Sequence, residues 1–143
     1  MSESAQRRAR RVSLWLLYAL DIAGGRPEDA LQAARETATE LEEDADIPWD
    51  RVQAMVVGTH GRLEELTAVV QAVSPRWKVD RMAPIDRNIL RLGAWEILHG
   101  GHPPLAVING CVDLAKDYGD KGTPAFVNGL LDQICRNNEI AIR

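Results

Sequence analysis

The chain has 143 residues, 45 % of them hydrophobic, and a formal net charge of −4. That is enough apolar material for a packed interior and too much for a disordered chain, and the acidic balance argues against an indiscriminate polyanion binder. No apolar run approaches the roughly 18–20 residues of a membrane span. Residues 14–20, which follow four arginines, carry Trp15 and Tyr18, run into Asp21 and lack a small-x-small cleavage site, so they do not read as a secretory signal. A cytoplasmic protein is expected.

Helical periodicity dominates and no stretch has the period of a strand. The first helix is predicted to start at Ser4, an N-cap, and to stop at Gly24-Gly25. Pro27 opens a second, with Ala30, Leu31, Ala34, Ala38 and Leu41 along one side and an acidic run on the other. Pro48 opens a third and longer helix through Val52, Met55, Val56, Thr59, Leu63, Leu66, Val70 and Val73, weakened by Gly58 and Gly61 and closed by Ser74-Pro75. A short turn at residues 77–82 precedes a helix from Pro84, with Ile85, Ile89, Leu92 and Trp95 as its stripe, ending at Gly100-Gly101. Pro103-Pro104 launches Val107, Ile108, Cys111, Val112 and Ala115 as far as Gly119. Thr123-Pro124 then caps and opens a last helix with Val127, Leu130, Leu131 and Ile134. The fold class is therefore all-α: about seven helices in two packed bundles, one domain over residues 1–143 with halves near 1–74 and 75–143.

Charge is unevenly placed. Residues 1–11 hold four arginines against Glu3, whereas residues 28–50 hold nine carboxylates, Asp44 among them, against Arg35 alone. Around the first helix, Ala9, Val12, Leu16, Ala19 and Leu20 form the expected core stripe, with Arg7, Arg8, Arg10 and Arg11 fanning into water opposite. Tyr18 returns to the arginine face. Leu14, Trp15 and Ile22 lie off the stripe, so the lower half of the helix is expected to be buried nearly all round. Guanidinium forks suit phosphate oxygens, and a neighbouring tyrosine offers a platform for an unstacked base. Arginines at the positive pole of a helix oppose its dipole, which points to a role other than helix stability. An acidic protein partner is the competing reading of the same patch.

No phosphate loop, nucleophile elbow, HExxH pair or dinucleotide fingerprint occurs, so neither enzyme chemistry nor a cofactor is expected. Asp86, Arg87 and Arg91 at helical spacing read as ion pairs or a charged contact face. Cys111 and Cys135 match no metal spacing and read as buried thiols; His99 and His102 bracket two glycines and read as a surface turn rather than a metal site.

Three groups of residues together resemble the NusB family (N-utilisation substance B, a bacterial transcription antitermination factor). They are Arg7-Arg8-Ala9-Arg10 with Leu17-Tyr18; Trp77-Lys78-Val79-Asp80-Arg81-Met82 with Asp86-Arg87-Asn88-Ile89-Leu90-Arg91-Leu92 and Glu96; and Val107-Ile108-Asn109, Leu114-Ala115-Lys116 and Phe126-Val127-Asn128-Gly129-Leu130-Leu131-Asp132. The resemblance implies binding of single-stranded boxA RNA together with ribosomal protein NusE, and joining of other Nus factors on RNA polymerase. It implies RNA contacts at Arg7, Arg8, Arg10, Tyr18, Phe126 and Asn128, with Arg11 as added charge, and a NusE-facing role for Asp86 and Glu96. The chain departs from the family pattern at Gly110, where a glutamate is frequent, and at Ala125, where a basic residue would help RNA. Two other readings compete. One is a helical interaction module or homodimer without sequence-specific RNA binding; the other is an accessory domain of an RNA methyltransferase. A monomer and a homodimer are both compatible with the sequence.

Overall fold

The computed structural model describes residues 4–43 and 46–143; Glu3 and Asp44 of the charge balance lie outside them. Among the described residues are seven α-helices and no strand: α1 (Ala5–Ala23), α2 (Pro27–Glu40), α3 (Trp49–Gly61), α4 (Leu63–Ala72), α5 (Pro84–Leu98), α6 (Pro104–Tyr118) and α7 (Thr123–Asn137). A 3-10 turn, Val79–Arg81, precedes α5. The all-α expectation holds. No helix among these residues is long and apolar enough to cross a membrane.

Local chemistry explains most of the boundaries. Proline stands in the first turn of α2, α5, α6 and α7, where its missing N–H has no intrahelical partner to lose. The Ser4 hydroxyl accepts the Arg7 backbone N–H at 3.1 Å, and the Gly24 N–H closes α1 on the Leu20 carbonyl at 2.8 Å. Thr123, expected as an N-cap, is instead the first residue of α7, with Gly122 in the capping position.

The expected long third helix is two helices. Arg62 leaves the helical region (φ −116°, ψ 27°) and α4 starts afresh at Leu63. Gly58 and Gly61 each cost about 1 kcal/mol of helix propensity relative to alanine, so the break falls beside them. It also moves the division of the chain. Residue contacts separate a unit ending at Gly61 from one spanning Arg62–Arg143, not halves meeting at Ser74-Pro75.

In the first unit α1 packs on both α2 and α3, and α2 on α3. Its buried side chains include Ala9, Leu14, Leu17 and Leu20 of α1, Leu31 and Ala38 of α2, and Val52, Met55 and Val56 of α3. Two hydroxyls, those of Ser13 and Thr59, are buried with no hydrogen-bond partner.

In the second unit α5 is the axis, packed by α4, α6 and α7. Residues 88–94 are buried without interruption, polar Asn88 and Arg91 included, because neighbouring helices cover α5 on every side. Gly93 is what lets the neighbours approach: a Cβ there would stand 3.0 Å from Cys111 Sγ and 3.0 Å from Leu131 Cδ1. Cys111 and Cys135 are buried thiols without a disulfide, and burial pushes the Cys135 thiol further up, with Asp132 adding to the shift. Gly110 lies on the buried side of α6, so this departure from the family pattern does not alter an exposed face.

Candidate nucleic-acid interface

The first candidate surface is on α1. About 100° per residue places Arg7, Arg11, Trp15, Tyr18 and Ile22 on one strip, opposite the buried side made by Ala9, Ser13, Leu17 and Leu20. The expected core stripe is therefore out of phase by about one residue step. Val12 and Leu16 are half-buried and Ala19 is exposed. The lower half of the helix is not buried all round either: Trp15 is 45 % exposed and Ile22 57 %.

The arginines divide accordingly. Arg7 is exposed, and Arg8 and Arg11 are half-buried. Arg10, expected to project into water with the others, is 5 % exposed, because its position falls in the middle of the side that packs on the rest of the unit. An Arg8 guanidinium N–H donates to the backbone carbonyl of Asp46, tying the start of α1 to the approach to α3. Arg51 of α3 donates to Gln6 Oε1 at 3.3 Å, which brings a further exposed cation beside the start of α1.

Tyr18 is half-buried and makes an edge-to-face contact with Trp15, ring centroids 6.0 Å apart and planes at 77°. That pairing holds the exposed indole against its neighbour and leaves aromatic surface beside Arg11. Sequence reasoning missed Trp15 and Arg51. Trp15 stands four residues past Arg11 and three before Tyr18, a spacing that would have found it; Arg51 reaches α1 only through packing.

The second surface lies wholly in the Arg62–Arg143 unit. A cavity of about 400 Å3 is lined by Trp77, Lys78 and Arg81 around the 3-10 turn, Asp86 of α5, Asp120 of the loop before α7, and Phe126 of α7. Its walls are pinned. Gln71 Nε2 donates to the carbonyls of Ser74 (2.9 Å) and Trp77 (3.1 Å), and the Ser74 hydroxyl donates to the Trp77 carbonyl at 2.8 Å. The Val79 N–H donates to Gln71 Oε1 at 3.0 Å, and Arg87 donates to the Asp80 carbonyl at 3.1 Å. On the other side the Asp120 N–H donates to Thr123 Oγ1 (3.0 Å), and the Thr123 hydroxyl donates to Asp86 Oδ1 (3.2 Å). Gly119 permits this turn, since a Cβ there would lie 2.6 Å from Thr123 Cβ.

Asp86 thus faces the same cavity as Phe126. Loss of water pushes its carboxyl above the usual carboxylate range; the Thr123 hydroxyl opposes the shift and the charge of Asp120 adds to it. Phe126 is half-buried and Asn128 exposed, and two residues of separation turn them to different sides of α7. Arg91, expected among surface ion pairs, is buried and donates to Thr67 Oγ1 at 3.1 Å.

Glu96, expected on a partner-facing surface, is 0 % exposed, with Oε1 3.2 Å from His102 Nδ1. Its carboxylate joins α5 to the connection before α6 and is out of a partner's reach. His99 pairs likewise with Glu65 at 3.2 Å.

Fold and surfaces together define an all-α protein with the surface chemistry of a nucleic-acid contact: exposed guanidinium groups beside aromatic rings. The chain belongs to the NusB family, whose sequence profile matches residues 7–136. It is 36 % identical over 131 residues to the transcription antitermination protein NusB of Anaeromyxobacter dehalogenans, covering 92 % of this chain and 90 % of that one. Against the NusB of Sorangium cellulosum it is 38 % identical over 136 residues, covering 93 % of each. A solved chain from a crystal structure of antitermination factors NusB and NusE in complex with dsRNA superposes with a TM-score of 0.80 at 27 % identity, covering 93 % of this chain and 97 % of that one.

Proposed function

We propose that this protein is a transcription antitermination factor that binds single-stranded boxA RNA together with NusE, joins other Nus factors on RNA polymerase and so supports ribosomal RNA transcription. The observation that carries this reading is the strip Arg7–Arg11–Trp15–Tyr18 on an exposed side of α1 in a NusB-family chain. The arginines hold phosphates and set register; the aromatic pair receives bases. Stacking on Trp15 and Tyr18 needs bases that are already unpaired, which favours a single strand here over the duplex held by the related complex.

In the second unit Phe126 and Asn128 are further RNA contacts, and Asp86, on the same cavity as Phe126, lies where the RNA-binding surface adjoins the one that receives NusE. Arg10 and Glu96 act from inside the fold, keeping the helices that carry these surfaces in place.

An anisotropy titration with a boxA strand and a scrambled strand, each with and without NusE, tests the proposal. Preference for boxA, tightened by NusE, is expected. Equal affinity for the two strands under both conditions, or no binding, overturns it.

A further inference from the structure

We propose that the cavity beside the 3-10 turn receives one nucleotide of the bound strand, with Trp77 stacking on its base and Lys78 and Arg81 holding its phosphate; this rests on the RNA-binding reading above. Three observations carry it. Trp77 is 64 % exposed, although an indole gains much from burial. Its backbone is nonetheless fixed, because the Trp77 carbonyl accepts from both Gln71 and Ser74. A large aromatic held out on an immobile segment is presented to something outside the chain.

The lining then selects the occupant. At about 400 Å3 the cavity lies within the roughly 300–1,000 Å3 of small-molecule sites. Phe126 and Trp77 give it aromatic surface, while Asp86 and Asp120 place acceptors in its wall. A bare anion leaves the aromatic walls and the carboxylates unmatched, and an apolar side chain leaves all the charged groups so. A nucleobase brings a flat ring together with N–H donors on its edge, and its phosphate reaches the two cations. A nucleotide thus offers a partner to the aromatic, the acidic and the basic side chains of the lining.

The test titrates the full chain with a labelled single-stranded boxA strand and, separately, with NusE, comparing wild type, Trp77→Ala, Trp77→Phe and Arg7→Gln/Arg11→Gln, with melting curves for each. Trp77→Ala is expected to weaken binding roughly five- to 150-fold, Trp77→Phe to keep most of the affinity, and both to melt like wild type. Wild-type affinity in Trp77→Ala overturns the inference. So does a Trp77→Ala variant that loses NusE while keeping RNA, which makes the cavity a protein-docking site. If wild type binds and only the arginine variant weakens, this inference fails and the antitermination reading stands. If wild type binds no RNA, both fail.

Discussion

Arg10 lies in the arginine cluster by sequence and inside the fold by geometry, and salt dependence separates the two roles. Each phosphate neutralised on a single strand steepens the slope of log affinity against log salt by about 0.7, through release of condensed counterions. Arg7 and Arg11 share the exposed strip with Trp15 and Tyr18, so replacing both with glutamine is expected to flatten the slope by about 1.4. Between 50 and 200 mM salt, wild type then loses about sevenfold more affinity than the double variant. Arg10→Met is expected to leave the slope untouched. Its side chain is 5 % exposed, so replacing it disturbs a buried polar site, at a cost of about 1–3 kcal/mol. For a chain of this size that lowers the melting temperature by roughly 2–12 °C. The assay is a salt series of anisotropy titrations with a melting curve for each variant. If Arg10→Met flattens the slope, or the double variant keeps the wild-type slope, the division of the cluster is wrong.

Gly93→Ala puts a methyl group 3.0 Å from Cys111 Sγ and Leu131 Cδ1, and the overpacking should cost about 1–3 kcal/mol, read as a lower urea midpoint at unchanged m. Thr59→Val removes a buried hydroxyl that has no partner while keeping its shape, so stability should be unchanged or higher; a loss above about 1 kcal/mol would show that the hydroxyl is satisfied in solution. Asp86 has a raised folded-state pKa, so the native state holds its proton more tightly and stability falls as pH rises from the unfolded value through the folded one. Asp86→Asn should remove that part of the pH dependence, so that the stability of wild type relative to the variant increases on acidification; the opposite trend in urea melts would refute the assignment.

Signals that act within a few residues are legible in the sequence. Ser4, the helix-opening prolines and the glycines after α1, α5 and α6 act on the adjacent turn, and the boundaries fall close to them. The phase of α1 is not legible there. Leu14, Trp15, Leu16, Leu17, Ala19, Leu20 and Ile22 surround its lower half with apolar side chains, so hydrophobicity alone does not say which arc is covered. Covering is decided by α2 and α3, and they bury Ser13 and Arg10 while leaving Trp15 outside. The same holds for Glu96, whose burial depends on where α5 sits among three neighbours. The cavity is assembled from the 3-10 turn, α5, and α7 with the loop before it; no spacing in the sequence announces it.

The first turn of α1 contains no acidic residue and two arginines, with two more in the next turn, an arrangement that opposes helix formation at that end. A peptide copied from this stretch would lose the packing that fixes its shape, expose Arg10 as a fourth charge, and present its apolar residues on all sides. It would bind RNA as a loose polycation, with little regard for sequence. Recognition by the strip is thus conditional on the first unit being folded. A substitution at Val56, fully buried in α3, should read out as lost RNA discrimination before it reads out as lost solubility.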